Sequence, residues 1–117
     1  MTLVYIAGPY SSDPEPNVKA AIVAAEEVLQ AGMIPHVPHL SHYWHTIHQE
    51  HDWDTWLKID IEILLRSDAV LRIPGESKGA DLEMKTAILK WIPVFLDMDS
   101  LTRWYKEIKG APALANE

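Results

Sequence analysis

The sequence contains no cysteine. That absence excludes disulfides, thiol nucleophiles and thiolate metal sites. It also lacks any basic run: 10 Lys and Arg stand against 17 Asp and Glu, for a net charge of -7. Binding along a nucleic-acid backbone needs clustered Lys and Arg, so no polymeric nucleic-acid partner is expected. A small anion remains possible, because a local helix terminus can outweigh the global charge. No segment approaches the ~20 apolar residues of a membrane span. Met1-Thr2-Leu3-Val4-Tyr5-Ile6 reads as a strand, not as a charged region leading into a signal sequence. The expectation is a cytoplasmic protein with no membrane partner. There is no internal repeat, linker or low-complexity segment. The 117 residues, 48% of them hydrophobic, suit one domain over residues 1–117 with a real core.

What is present is an alternation of strands and helices. Leu3 to Ala7 is a continuous apolar run ending at Gly8-Pro9, as in a strand buried on both faces of a parallel sheet. Ser11-Ser12-Asp13-Pro14 supplies helix-start chemistry. Val18, Ile22, Ala25, Val28 and Leu29 then form a helical stripe that Gly32 closes. Ile34 to Pro38 reads as a second strand. Residues 39–52 are polar, aromatic and His-rich, in keeping with a long functional loop that is partly helical. Asp52 suits the cap of a helix over 53–66, with Leu57, Ile61, Leu64 and Leu65 toward the core. Ala69 to Ile73 is a third strand, 79–90 a helix, Pro93 to Leu96 a fourth strand, and Leu101 to Ile108 a last helix. The tail, Gly110 to Glu117, reads as frayed.

This order predicts right-handed βαβ units. The expected fold is α/β, a three-layer sandwich of flavodoxin- or Rossmann-like type. Its sheet is mainly parallel with four or five strands, and Tyr5 and Val70 lie on adjacent central strands. Ligands of such folds bind at the carboxyl ends of strands. The turns at Gly8-Pro9-Tyr10 and at Pro74 to Gly79 should therefore flank one crevice.

The stretch from Ser67 to Glu83 carries the most chemistry. It reads as a strand, a Pro74-Gly75 turn and a helix start near Gly79, followed by a carboxylate, Glu83. Unpaired amides and the helix dipole make such a start an anion cradle. A plainer alternative is that Glu83 only complements the dipole. Asp81 lies roughly 200° from Glu83 around a helix, so the two cannot share the crevice. Asp81 reads as a solvated dipole partner. Glu83 shares its face with Ala80 and Ala87, which leave room for a ligand. Asp60 sits beside Trp56 and Ile63 at the edge of an apolar face, where partial desolvation favours its protonated form and a proton-donor role. A half-exposed, solvated Asp is the alternative. Tyr5, in a buried strand, needs a partner for its hydroxyl, either Glu83 or a backbone carbonyl.

Two compositional features stand out. His36, His39, His42, His45, His48 and His51 recur at every third position. That spacing drifts around a helix and does not specify a metal geometry. No metal or other cofactor is expected, and a polar aromatic lid is the preferred reading. The 5 Trp are many for this length. Trp91 and Trp104 read as packing. Trp44, Trp53 and Trp56 cluster where a base can stack or a subunit interface can form.

With these residues in place, the chain resembles the nucleoside 2-deoxyribosyltransferase-like superfamily, which includes the deoxynucleoside 5′-monophosphate N-glycosidases. Tyr5-Ile-Ala-Gly-Pro-Tyr10 is similar to the opening strand and loop. Ala31-Gly32-Met33-Ile34-Pro35 is similar to the first helix end and second strand. Asp60, ahead of Ser67-Asp68-Ala69-Val70, has the spacing of an active-site Asp. Ser77-Lys78-Gly79-Ala80-Asp81-Leu82-Glu83 is similar to the segment ending in the catalytic Glu, and Ile92-Pro93-Val94 to the last strand. The resemblance implies a retaining reaction. Glu83 would form a glycosyl ester, Asp60 would contact the sugar or protonate the leaving base, and Tyr5 would position Glu83. Ser77 and the Gly79 amide, with Ser11 or Ser12, would hold a 5′-phosphate, beside Gly8, Pro9 and Trp56. The transferases often carry an Asp where Ser77 stands, which favours the nucleotide-hydrolase branch.

The expected ligand is therefore a small-molecule nucleoside or nucleotide, and the expected assembly a homodimer or larger homo-oligomer. Which base, which sugar, and whether water is the acceptor are left open by the residues. Two other readings stay beside this one. The first is a non-catalytic module that senses a nucleotide or sugar phosphate, since fold does not fix function. The second is a His-rich metal protein.

Overall fold

The computed structural model describes residues 1–109. Among these, four strands form one sheet: β1 (Leu3–Ala7), β2 (Ile34–His36), β3 (Ala69–Arg72) and β4 (Val94–Phe95). The spatial order is β2-β1-β3-β4. Every pairing is parallel, with Tyr5 opposite both His36 and Val70. The expected α/β layering and the central Tyr5–Val70 pair are present. The sheet has four strands, and each of the last three is shorter than its apolar run. The tail from Gly110 onward lies outside the described residues.

The helices are α1 (Pro14–Gln30), α2 (His42–Ile47), α3 (Trp53–Leu64), α4 (Lys78–Leu89) and α5 (Met98–Trp104). A 3-10 turn, Pro38–Ser41, precedes α2, and a π turn, Tyr105–Lys109, follows α5. Residues 39–52 are thus largely helical. Asp52, Ser77 and Asp97 cap α3, α4 and α5 through their side chains.

Period-two alternation along β1 and β3 splits the core into two layers. Val4, Ile6, Ala69 and Leu71 face α1 and α5, where Ala21, Ala24, Ala25, Val28 and Leu101 are buried. Tyr5, Ala7 and Val70 face the other way, against Leu64 of α3 and Ala80 and Ala87 of α4. Full burial of an Ile6 or Leu101 side chain stabilises by roughly 1.5–3 kcal/mol.

The expected helical stripes needed correction. On α1, Ala25 and Val28 of the expected stripe are buried, joined by Ala21 and Ala24; Ile22 and Leu29 are exposed. Alanine at i, i+3 and i+4 lets the helix approach the strands closely. On α3 only Leu64 is buried, Leu57 and Ile61 are half-buried, and Leu65 is exposed. The helix is lined by cavities on two sides instead of resting flat on the sheet. Trp104 packs on Phe95 at 5.3 Å between rings, as expected. Trp91 does not pack: it is 93% exposed and takes a left-handed φ of 61° just past α4.

Candidate active site

The chain leaves β1 to one side and β3 to the other, so strand order reverses between them. A cavity of about 980 Å³ opens there, beyond the carboxyl ends of both strands. Small-molecule sites span roughly 300–1,000 Å³, and this position is the usual one in open parallel sheets. Gly8, Ser11, Ser12, Trp56, Asp60, Ser77, Gly79 and Glu83 all line it.

Glu83 sits in the second turn of α4, 6% exposed, between the small side chains of Ala80 and Ala87. The Tyr5 hydroxyl donates to Glu83 Oε2 from the middle of the sheet. Burial pushes Glu83 up to about 7. The Tyr5 hydrogen bond and the positive charge of Arg72 oppose that rise, while the nearby Asp60 adds to it. Asp60, on α3, is pushed up to about 6 by burial. Burial also raises Tyr5, and the charges of Glu83 and Asp60 raise it further. The phenol therefore stays protonated and remains a donor. Two coupled carboxyl groups in this range titrate as one unit. Near neutral pH, the pair can hold one proton. Because Glu83 is the higher of the two, that proton rests mainly on Glu83, and the form with Asp60 protonated and Glu83 ionised, which the Tyr5 hydroxyl and Arg72 favour, is the minor one.

The start of α4 forms the opposite wall. Ser77 Oγ accepts from the Ala80 amide at 3.0 Å, which leaves its hydroxyl proton free to donate. The Lys78 and Gly79 amides precede the first intrahelical bond and face the positive end of the dipole. Ser12 Oγ accepts from Asn17 at 3.1 Å. Pro9 departs from the expected set. It does not line the cavity, because its ring packs toward Gly75 and its carbonyl accepts from His39. Asp81 also differs: it lines the same cavity as Glu83, at its exposed rim, and is ion-paired with Arg72 at 3.0 Å rather than simply solvated.

The aromatic wall centres on Trp56. The rings of Trp44, His51 and His45 meet it edge-on at 5.0, 5.7 and 6.0 Å. The evenly spaced histidines disperse to separate tasks. His36 stacks near Tyr5, His39 binds the Gly8 and Pro9 carbonyls, and His42 pairs with the Tyr10 hydroxyl at 2.6 Å. His48 meets Glu50 at the surface. Among the described residues, no group of three His, Asp or Glu is placed to hold a metal ion.

Sequence reasoning missed Arg72 and the particular role of His39. The signal for Arg72 was available: a cation at the end of an apolar strand needs partners. For His39 there was none, because five other histidines at the same spacing hid it.

The parallel α/β fold thus brings a buried, hydroxyl-braced carboxylate and a second carboxyl group to one cavity at the ends of its central strands. Residues 2–95 match the family described as a domain of unknown function (DUF4406), and the chain belongs to that family. In three dimensions it is similar to a conserved protein from Enterococcus faecalis V583, known from a crystal structure. The TM-score is 0.62 and the identity 19%, over 92% of this chain and 76% of that one. At that identity the likeness speaks for the fold. No curated protein matches the chain. No helix among the described residues is long and apolar enough to cross a membrane.

Proposed function

We propose that this protein cleaves the N-glycosidic bond of a nucleoside or nucleoside 5′-monophosphate, in the manner of the nucleoside 2-deoxyribosyltransferase-like superfamily that its sequence resembles. One observation carries the reading: Tyr5 donates to a buried Glu83 inside a cavity that also holds Asp60. Glu83 attacks the anomeric carbon as the carbon–nitrogen bond breaks. Asp60 gives its proton to the departing base. The product is a sugar ester on Glu83 and a carboxylate on Asp60. Asp60 then takes a proton from water, the resulting hydroxide opens the ester, and both carboxyl groups return to their starting states. Tyr5 holds Glu83 toward the sugar. Trp56 offers an aromatic face to the base, and Ser77, Gly79, Ser11 and Ser12 offer donors to a 5′-phosphate.

The test is incubation with a panel of nucleosides and 5′-monophosphates, read by chromatography for free base and by mass spectrometry for a sugar ester on the peptide containing Glu83. Binding of a nucleotide without release of base from any member would replace this reading with a sensor. The same proposal includes assembly into a homodimer or larger oligomer. Leu40, Tyr43, Trp44, Ile47 and Trp53 form an exposed apolar stretch beside the cavity, which a second copy would cover. A monomer by light scattering well above micromolar concentration would count against it.

A further inference from the structure

An anionic group is held by N–H and O–H donors and repelled by carbonyl oxygens. Loops carry both in nearly equal number. A pair of loops that binds an anion must therefore engage its carbonyl oxygens elsewhere. Here, four of them are held by two side chains.

His39 is 5% exposed, and its Nε2 lies 3.2 Å from the Gly8 carbonyl and 3.1 Å from that of Pro9. Both partners are acceptors, so Nε2 carries the proton. Nδ1 is buried with no partner, in keeping with a neutral ring. Burial lowers the affinity of His39 for a second proton. On the other loop, Arg72 donates through Nη1 to the Ile73 carbonyl and through Nη2 to the Gly75 carbonyl at 2.8 Å. The same Nη2 reaches Asp81 on α4 at 3.0 Å, and the Arg72 side chain is only 10% exposed.

The two loops also interlock. A Cβ on Gly8 would stand 2.3 Å from Ile73 Cγ1, and one on Gly75 would stand 2.6 Å from Pro9 Cγ. A side chain at either glycine would have to displace the Ile73 side chain or the Pro9 ring on the opposite loop. His39, the Gly8-Pro9 turn, the Ile73–Gly75 turn, Arg72 and the first turn of α4 thus form one continuous mechanical chain. Arg72 does not line the cavity, and the Glu83 mechanism uses neither side chain directly.

We propose that His39 and Arg72 are positioning residues that lock these two loops, so that the cavity presents donors rather than carbonyl oxygens to a phosphomonoester on the substrate. The proposal rests on the reading of the site as a nucleotide site and narrows its substrate to the phosphorylated form. Without the clamp, the carbonyls of Gly8, Pro9, Ile73 and Gly75 are free to rotate toward the anion.

The experiment compares dissociation constants of a nucleoside 5′-monophosphate and of the same nucleoside, by calorimetry. The full chain is used with Glu83→Gln, so that no turnover intervenes. The parent is expected to prefer the monophosphate by about tenfold or more, the scale of one or two charge-assisted hydrogen bonds. Arg72→Met and His39→Leu are expected to erase most of that preference while binding the plain nucleoside nearly as before. His39→Gln keeps an amide donor for both carbonyls and is expected to rescue the preference. A merely structural role would weaken both ligands together and leave their ratio unchanged. Should Arg72→Met fail to fold, Arg72→Lys tests the same point, because an ammonium cannot span the guanidinium's acceptors as a fork. An unchanged ratio in folded Arg72→Lys and His39→Leu overturns the proposal, as does a parent with no preference for phosphate. Base release by the unmutated chain is measured separately. Release without a phosphate preference sinks the clamp and keeps the glycosidase reading; a phosphate preference without release does the reverse.

Discussion

Replacing Glu83 with Gln should make the protein more stable at pH 8 while destroying its proposed activity. Burial raises the Glu83 pKa from 4.5 to about 7. A folded-state value above the unfolded one means that the folded chain binds the proton more tightly. Stability associated with this group is then fully present below pH ~4.5 and is lost as pH rises through ~7. The shift of ~2.5 units corresponds to about 3 kcal/mol above pH 7, on the order of one unit per 1.36 kcal/mol. Gln carries no charge to desolvate, so this destabilisation disappears. Its Oε1 still accepts from Tyr5 as the neutral carboxyl does, and the stronger bond that Tyr5 makes to the carboxylate is already contained in the value of about 7. The variant is therefore expected to be about 3 kcal/mol more stable at pH 8 and nearly equal to the parent at pH 4. Urea denaturation followed by tryptophan fluorescence at both pH values reads this directly. Base release should fall by roughly 10³-fold, because an amide is a far poorer nucleophile. A variant no more stable than the parent at pH 8, with the same pH slope, would refute the claim that Glu83 is ionised against a burial penalty.

Base release should follow a bell-shaped pH profile centred between about 6 and about 7, the values to which burial pushes Asp60 and Glu83. Acid protonates the nucleophile and alkali removes the donor's proton; a plateau through pH 8 would contradict the shared-proton scheme. Asp60→Asn should slow release by roughly 10²-fold, and more for poor leaving bases, since a proton donor matters most there. Equal loss across leaving groups would count against Asp60 as the acid. Tyr5→Phe removes the hydroxyl that favours ionised Glu83, so the acid limb of the profile should move to higher pH; an unmoved limb would refute Tyr5 as the brace. Trp91→Gly should stabilise the fold by about 1 kcal/mol, because the residue is 93% exposed and its φ of 61° suits glycine. A loss of stability in thermal melts would reveal a packing role that its exposure denies.

The β1 and β3 strands were legible because buried parallel strands read as continuous apolar runs. Tyr5 and Val70 could be placed beside each other on that basis, and they pair. Glu83, Ala80 and Ala87 could be placed on one face of a helix by periodicity alone, and they share the buried face of α4. The α1 stripe misled, because hydrophobic size was taken as a proxy for burial. Ala25 and Val28 of that stripe are buried, but close helix–sheet approach adds Ala21 and Ala24 to them and leaves Ile22 and Leu29 facing outward along a second cavity. Trp91 misled for a similar reason: nothing in its type announces a left-handed backbone at a helix end. The links between loops were illegible in principle. The His39 contacts join residues 31 and 30 apart in sequence, and no local pattern encodes them.

The arrangement of charge bears on the choice between the enzyme reading and the sensor reading. A module that only binds a nucleotide has use for a carboxylate that accepts from a sugar hydroxyl, but each carboxylate repels a phosphate when ionised. Burying them is also costly, as the rise of both toward neutrality shows. The chain nevertheless spends a core position of its central strand, Tyr5, on holding one of them rather than on apolar packing. That expense has a clear use where the carboxylate meets positive charge during the event it serves. A breaking glycosidic bond supplies such charge at the anomeric carbon, in a transition state that carries oxocarbenium character. A resting nucleotide does not. Glu83→Ala therefore distinguishes the two readings by sign: relief of repulsion should tighten binding of a 5′-monophosphate, while release of base falls by orders of magnitude. A sensor would show the first effect with no second to lose.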